Sequence, residues 1–93
     1  MCDLVAELRQ CEADTERLLG AGVALRLANW QVYINDPAEL VAFVQRLIRG
    51  PKRSNGWDLD RKGGRRLEKI VIDCGCPPFT EEDVRVARET LGL

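Results

Sequence analysis

The fold class rests on the stretch WDLDRKGGRRLEKIVID, residues 57–73. Its first four residues alternate between apolar and acidic side chains, which is the two-residue period of a half-buried strand. Gly63-Gly64 is a turn pair, and residues 65–73 return as a second strand. Residues 70–72 are apolar in succession, which indicates a strand covered on both faces. The stretch therefore predicts a β-hairpin.

Three other segments carry the pattern of amphipathic helices. Residues 3–19 place apolar side chains on one stripe and stop at Gly20, a residue suited to a helix C-terminus. Residues 37–49 and 81–91 repeat the apolar spacing of a helix packed on one face. The sequence therefore predicts one helix at the start of the chain, a second shortly before the hairpin segment, and a third at the end of the chain.

Capping residues fix where the second and third helices begin. Asp36 is a favourable N-cap, Pro37 suits the first helical position, and Glu39 would complete a capping box. Thr80 is the N-cap of the last helix, with Asp83 at the third helical position. Both helix starts are therefore predicted to the residue.

The segment 23–35 alternates as strands do, but the parity of its apolar residues changes midway, so we predict two short strands that turn near Ala28-Asn29. The element order becomes α-ββ-α-ββ-α. We expect a single α+β domain over residues 1–93, with a four-stranded, mostly antiparallel sheet and helices packed on one face as a two-layer sandwich. Trp30 and Phe43 lie on apolar stripes and are expected in the core.

Charge is segregated along the chain, although the formal net charge is only −1. Residues 1–45 carry a net −4, residues 46–69 a net +6 and residues 70–93 a net −3. A strongly basic segment in an otherwise acidic small protein is the first place to look for a binding surface.

The predicted hairpin register neutralises only part of this basic segment. If Gly63-Gly64 are the two turn residues, Asp58 lies opposite Lys69, and Arg61 faces Arg66. Two arginines facing each other are unfavourable, so an anion or a carboxylate from elsewhere is expected between them.

The binding surface predicted from these patterns is a basic hairpin with its preceding loop, in a small protein without enzymatic activity. An acidic protein is the favoured partner, with the chain acting as an inhibitor, an immunity-type protein or an accessory subunit. Nucleic acid is the alternative partner, held by phosphate contacts from the same residues. The candidate contact residues are Arg53, Trp57, Arg61, Lys62, Arg65 and Arg66.

The cysteines suggest a third alternative, a thiol- or metal-dependent protein that uses Cys74 and Cys76. Two thiols one residue apart could bind a soft metal or form a disulfide. A four-cysteine zinc site would also need Cys2 and Cys11, and helix geometry places those two on opposite faces. The chain also has no histidine to take their place and no C-x-x-C spacing, so we expect no bound metal or cofactor. A cytoplasmic location is the default for this sequence, and we therefore expect reduced thiols.

Catalytic residues are scarce. The chain has no histidine, so the commonest general base at neutral pH is missing. Asp58 and Asp60 alternate with apolar residues as on a solvent-facing strand, which argues against a catalytic carboxylate pair. No targeting segment or membrane-spanning run is evident, and no membrane partner is expected. Homodimerisation is a further expectation, because a small core and alternating acidic and basic blocks both allow two copies to pair.

Overall fold

The computed structural model describes residues 2–21, 28–50 and 54–93, without the side chains of residues 28, 29 and 54–57. Over these ranges every regular element is helical, and no strand is present. The elements are a 3₁₀ helix and five α-helices: α1 (Leu4–Leu19), the 3₁₀ helix (Ala28–Tyr33), α2 (Pro37–Arg49), α3 (Ser54–Arg61), α4 (Leu67–Cys74) and α5 (Glu81–Leu91).

The predicted α+β sandwich and its basic hairpin are therefore wrong. Residues 57–73 form the end of α3, a connection through Gly63-Gly64, and α4. The consecutive apolar residues of α4 belong to a helical stripe, since Leu67, Ile70, Val71 and Cys74 follow the i, i+3, i+4, i+7 spacing of one helix face. A short apolar run fits a buried helix as well as a covered strand, and here tertiary packing selects the helix.

The other predicted strand pair is also wrong where the structure describes it. Ala28–Tyr33 is the 3₁₀ helix, which lies where the turn and the second strand were expected. The first of those strands, residues 23–27, lies outside the described residues. Trp30, the largest side chain of the 3₁₀ helix among those described, is buried as predicted.

The three predicted helices are confirmed within one residue at either end. Asp36 accepts a hydrogen bond from the Glu39 amide (3.3 Å), and the Thr80 hydroxyl accepts one from the Asp83 amide (3.1 Å). The Asp83 carboxylate in turn accepts a hydrogen bond from the Thr80 amide (2.9 Å), which completes that capping box. At the start of α2 the box is only half formed, because the Asp36 amide donates to the carbonyl of Tyr33 instead.

Two apolar clusters hold the helices together. The larger contains Trp30 and Phe43 with residues of α1, α2, α4 and α5, and the smaller contains Cys11, Leu59 and Ile70. Gly64 lies beside the smaller cluster, where a Cβ atom would come within 2.8 Å of Leu59 Cγ. A glycine is thus required there for space. Among the described helices, none has the length and apolar character to cross a bilayer.

Candidate functional site

Of the six residues predicted as a contact surface, the structure describes the side chains of four, and these four do not form one surface. Arg53 lies outside the described residues, and the side chain of Trp57 is not described. Arg61 and Lys62 are exposed at the end of α3, whereas Arg65 is mostly covered and Arg66 is buried. The four described side chains therefore divide into two that face solvent and two that are held against the rest of the protein.

Arg65 connects α1 to α4. Its Nε and Nη2 atoms both lie 2.8 Å from Glu7 Oε2, and Nη2 also lies 2.6 Å from Asp73 Oδ2. Its backbone amide donates to Asp14 Oδ2 at 2.8 Å. Partial burial acts to lower the pKa of Arg65, but the carboxylates of Asp73 and Glu7 outweigh it and raise that pKa above its ordinary value. Arg65 is therefore a permanent cation that joins two helices.

Arg66 and Glu68 form a buried ion pair at the start of α4. Arg66 Nε lies 3.0 Å from Glu68 Oε2, and the two residues are 3% and 8% exposed. The prediction that Arg61 faces Arg66 is wrong, because it required the two residues to lie opposite each other in a hairpin. Arg61 instead pairs with Asp58 one helical turn earlier, and Lys69 pairs with Asp60 rather than with the predicted Asp58.

Arg49, another member of the basic segment, is paired across the fold. Its Nη1 atom lies 2.6 Å from Asp83 Oδ1, and Gln45 Nε2 donates to Asp83 Oδ2 at 2.7 Å. Burial acts to raise the pKa of Asp83, yet hydrogen bonds from Thr80, Gln45 and Arg49 lower it to about 2. The acidic flanks of the sequence thus pair with two residues of its basic centre, Arg49 and Arg65.

A smaller basic surface remains, which we call the basic tip: Arg17, Arg61 and Lys62. The side chains of Arg17 and Arg61 are 65% and 76% exposed. Lys62 Nζ donates to the carbonyl of Leu18 at 3.2 Å, which brings the end of α3 next to the last turn of α1. Sequence reasoning missed Arg17, although a basic residue in the last turn of a predicted helix was a usable signal.

The cysteines form a second candidate site. Cys2 and Cys74 are joined by a disulfide, with their Cα atoms 5.0 Å apart, so the expectation of four reduced thiols is wrong for this pair. Cys76 is a free, exposed thiol. Cys11 is buried, and desolvation raises the pKa of its thiol to about 12, which leaves it protonated and inert. Among the described residues, no group of three or more metal-ligating side chains is assembled.

A shallow depression of about 240 Å³ lies between α1 and the 3₁₀ helix. Its lining includes Arg9, whose guanidinium carbon lies 5.8 Å from the centre of the Trp30 ring, and Glu12, which accepts a hydrogen bond from Gln31. Trp30 Nε1 is buried without a hydrogen-bond partner among the described residues. Because that atom is covered, the depression offers a ligand mainly the Arg9 and Glu12 charges, which are of opposite sign.

No family model, no curated protein and no solved structure matches the chain. These comparisons therefore add nothing about the basic tip or the cysteines.

Proposed function

We propose that this chain is a small, non-enzymatic protein-binding module that contacts an acidic partner protein through the basic tip. The proposal rests on one observation: the Lys62–Leu18 hydrogen bond brings the end of α3 next to the end of α1. That contact gathers three exposed cations from separate parts of the sequence. An inhibitor, an immunity-type protein or an accessory subunit would all use such a surface.

The surrounding ion pairs support the basic tip as the contact surface. Four other basic residues form ion pairs with carboxylates of the chain itself: Arg49, Arg65, Arg66 and Lys69. Their positive charges are therefore largely neutralised within the protein. Arg61 also has a carboxylate neighbour, but in an exposed pair, which contributes only about 0–1 kcal/mol and can exchange its partner readily. Exposed arginines and lysines at the rim of an interface chiefly speed association and select a partner of opposite charge.

A protein partner is favoured over nucleic acid because the positive surface is small and bordered by acids. Asp14 lies against Arg17, and Asp58 lies against Arg61. Non-specific nucleic-acid binding relies on many phosphate contacts along a continuous basic face, whereas a compact cluster of charges suits a few carboxylates on a protein.

The proposal includes a cytoplasmic location, and this location has a consequence for the disulfide. Disulfides in cytoplasmic proteins are usually transient or redox-sensing, so the Cys2–Cys74 bond would there be a reversible one. Alkylation of free thiols in intact cells before lysis would show directly whether Cys2 and Cys74 are reduced.

The decisive experiment compares three forms of the full chain immobilised for capture from an extract of the source cells: the wild type, the double variant R61E/K62E, and the control R46E/R88E. The control makes the same change of charge at two exposed arginines that form no ion pair with the described residues. We expect acidic proteins that bind the wild type and the control but not R61E/K62E.

Equal capture by all three forms would refute the basic tip as the contact surface. A parallel titration with duplex DNA and single-stranded RNA of random sequence distinguishes the alternative. Binding that depends on the basic tip and weakens steeply with salt would transfer the proposal to nucleic acid.

A further inference from the structure

Cys76 is a free thiol that lies two residues after a disulfide-bonded cysteine, and Gly75 is the only residue between them. Gly75 adopts φ 65° and ψ −154°, a backbone conformation that is essentially restricted to glycine. The chain turns at this point as α4 ends. The Cα atoms of residues i and i+2 are at most about 7 Å apart, and a disulfide requires Cα atoms roughly 4.4–6.8 Å apart, so the sequence separation of Cys74 and Cys76 allows a bond between them.

The two bonded cysteines lie at opposite kinds of helix end. Cys2 lies immediately before Asp3, the N-cap of the 16-residue helix α1, whereas Cys74 is the last residue of α4. The partial positive charge at a helix N-terminus stabilises a thiolate, and the partial negative charge at a C-terminus opposes one. In thiol–disulfide exchange the better stabilised thiolate leaves faster, so Cys2 is the favoured leaving group when the bond is attacked.

We propose that Cys2, Cys74 and Cys76 form a thiol–disulfide exchange site. The thiolate of Cys76 attacks Sγ of Cys74, a bond forms between Cys74 and Cys76, and the Cys2–Cys74 bond breaks. The electron pair of the broken bond stays on Cys2, which leaves as a thiolate and takes up the proton that Cys76 lost. The number of thiols and disulfides is unchanged, so the step requires no oxidant or reductant.

Helix packing keeps the released Cys2 close to the other two sulfurs. Arg65 holds Glu7 of α1 and Asp73 of α4 together through contacts of 2.8 and 2.6 Å. These contacts join the same ends of the same helices as the disulfide does. The exchange is therefore reversible within the folded protein, and its outcome is which thiol, Cys2 or Cys76, reaches solvent.

Peptide mapping tests this directly, because trypsin separates Cys2 (residues 1–9), Cys11 (residues 10–17) and the Cys74–Cys76 pair (residues 70–85). The oxidised full-length wild type is kept at about pH 8, where an ordinary cysteine is partly thiolate, and samples are alkylated with iodoacetamide over time. We expect a growing population in which residues 70–85 carry an internal disulfide and Cys2 is alkylated.

The variant C76S should retain the Cys2–Cys74 bond in every molecule, because it lacks the attacking thiol at an exposed position. The control C11A should exchange as the wild type does. The proposal is overturned if oxidation yields no Cys2–Cys74 bond, or if only Cys76 is ever alkylated in the wild type. It is equally overturned if Cys2 is released in C76S or if the exchange passes through Cys11.

Discussion

The guanidinium of Arg49, at the end of α2, lies 2.6 Å from the carboxylate of Asp83, in the first turn of α5. Asp83 is 1% exposed and also accepts hydrogen bonds from Gln45 and from the Thr80 amide. One buried carboxylate therefore caps a helix and fastens it to another, and its removal has consequences that can be measured.

Replacement of Asp83 by asparagine should lower the free energy of unfolding by about 2–3 kcal/mol at neutral pH, because hydrogen bonds to a charged group are lost inside the fold. Denaturant titration measures the change. The control is E81Q, an exposed acid in the same helical turn, which should shift stability by no more than about 0.5 kcal/mol. An equal effect of the two substitutions would contradict the role of Asp83.

Acid should destabilise the wild type partly through the same residue. The pKa of Asp83 is about 2 in the folded protein and 3.8 as its ordinary value, so the folded state favours the ionised form. Its stabilisation is complete above the ordinary pKa and is lost as the pH falls through the folded pKa. Between roughly pH 5 and pH 2 the wild type should lose about 2 kcal/mol that D83N does not lose. Unfolding curves of the two proteins that fall in parallel over this range would refute the assignment.

Replacement of Gly64 by alanine should destabilise the protein by about 1–3 kcal/mol through overpacking. The new Cβ would lie 2.8 Å from Leu59 Cγ and 3.1 Å from Leu18 Cδ1. The control is G50A, where the nearest atom to the new Cβ is the Arg46 carbonyl oxygen at 3.4 Å and the backbone is extended. Thermal unfolding of both variants checks this, and a G64A protein as stable as G50A would contradict the packing.

Replacement of Cys2 by serine should lower the free energy of unfolding by about 2–4 kcal/mol, because the unfolded chain gains freedom when a long loop is opened. The bond joins residues 72 positions apart. A reducing agent should lower the stability of the wild type by the same amount and that of C2S far less, because Cys74 and Cys76 could close only a very short loop. If reduction destabilises C2S as much as the wild type, the effect does not come from this disulfide.

Homodimerisation stays a prediction, and it now has a sharper form. The basic tip of one copy would face the exposed acids at the start of α5 of another, Glu81 among them. Sedimentation velocity at low and high salt should then show a dimer that dissociates as salt screens the contact. A monomer at both salt concentrations would reject it, and R61E/K62E should be monomeric throughout.

The helices with strong end signals were predictable from the sequence. Asp36 with Pro37 and Thr80 with Asp83 are local signals, and the structure begins α2 and α5 where they predict. Residues 57–73 were not predictable, because β-branched residues at positions 70–72 favour a strand locally, and only packing in three dimensions selects the helix.

In the candidate sites, too, features set by neighbouring residues were predictable, and features set by residues distant in sequence were not. Exposure of Arg61 and Lys62 fitted their position in a polar stretch, whereas burial of Arg66 depends on helices that meet only in the folded chain. The pairing of Cys2 with Cys74 was also out of reach, since connectivity between distant cysteines cannot be deduced from their spacing alone.

The Cys2–Cys74 bond also makes a closed covalent ring of most of the chain. Every peptide bond between these two cysteines lies inside the ring, including all those of α1, α2 and α3. A single proteolytic cut there leaves one molecule of unchanged mass, apart from an added water, which separates into two fragments only after reduction. The oxidised protein would thus survive a nick as one particle, and the reduced protein would not.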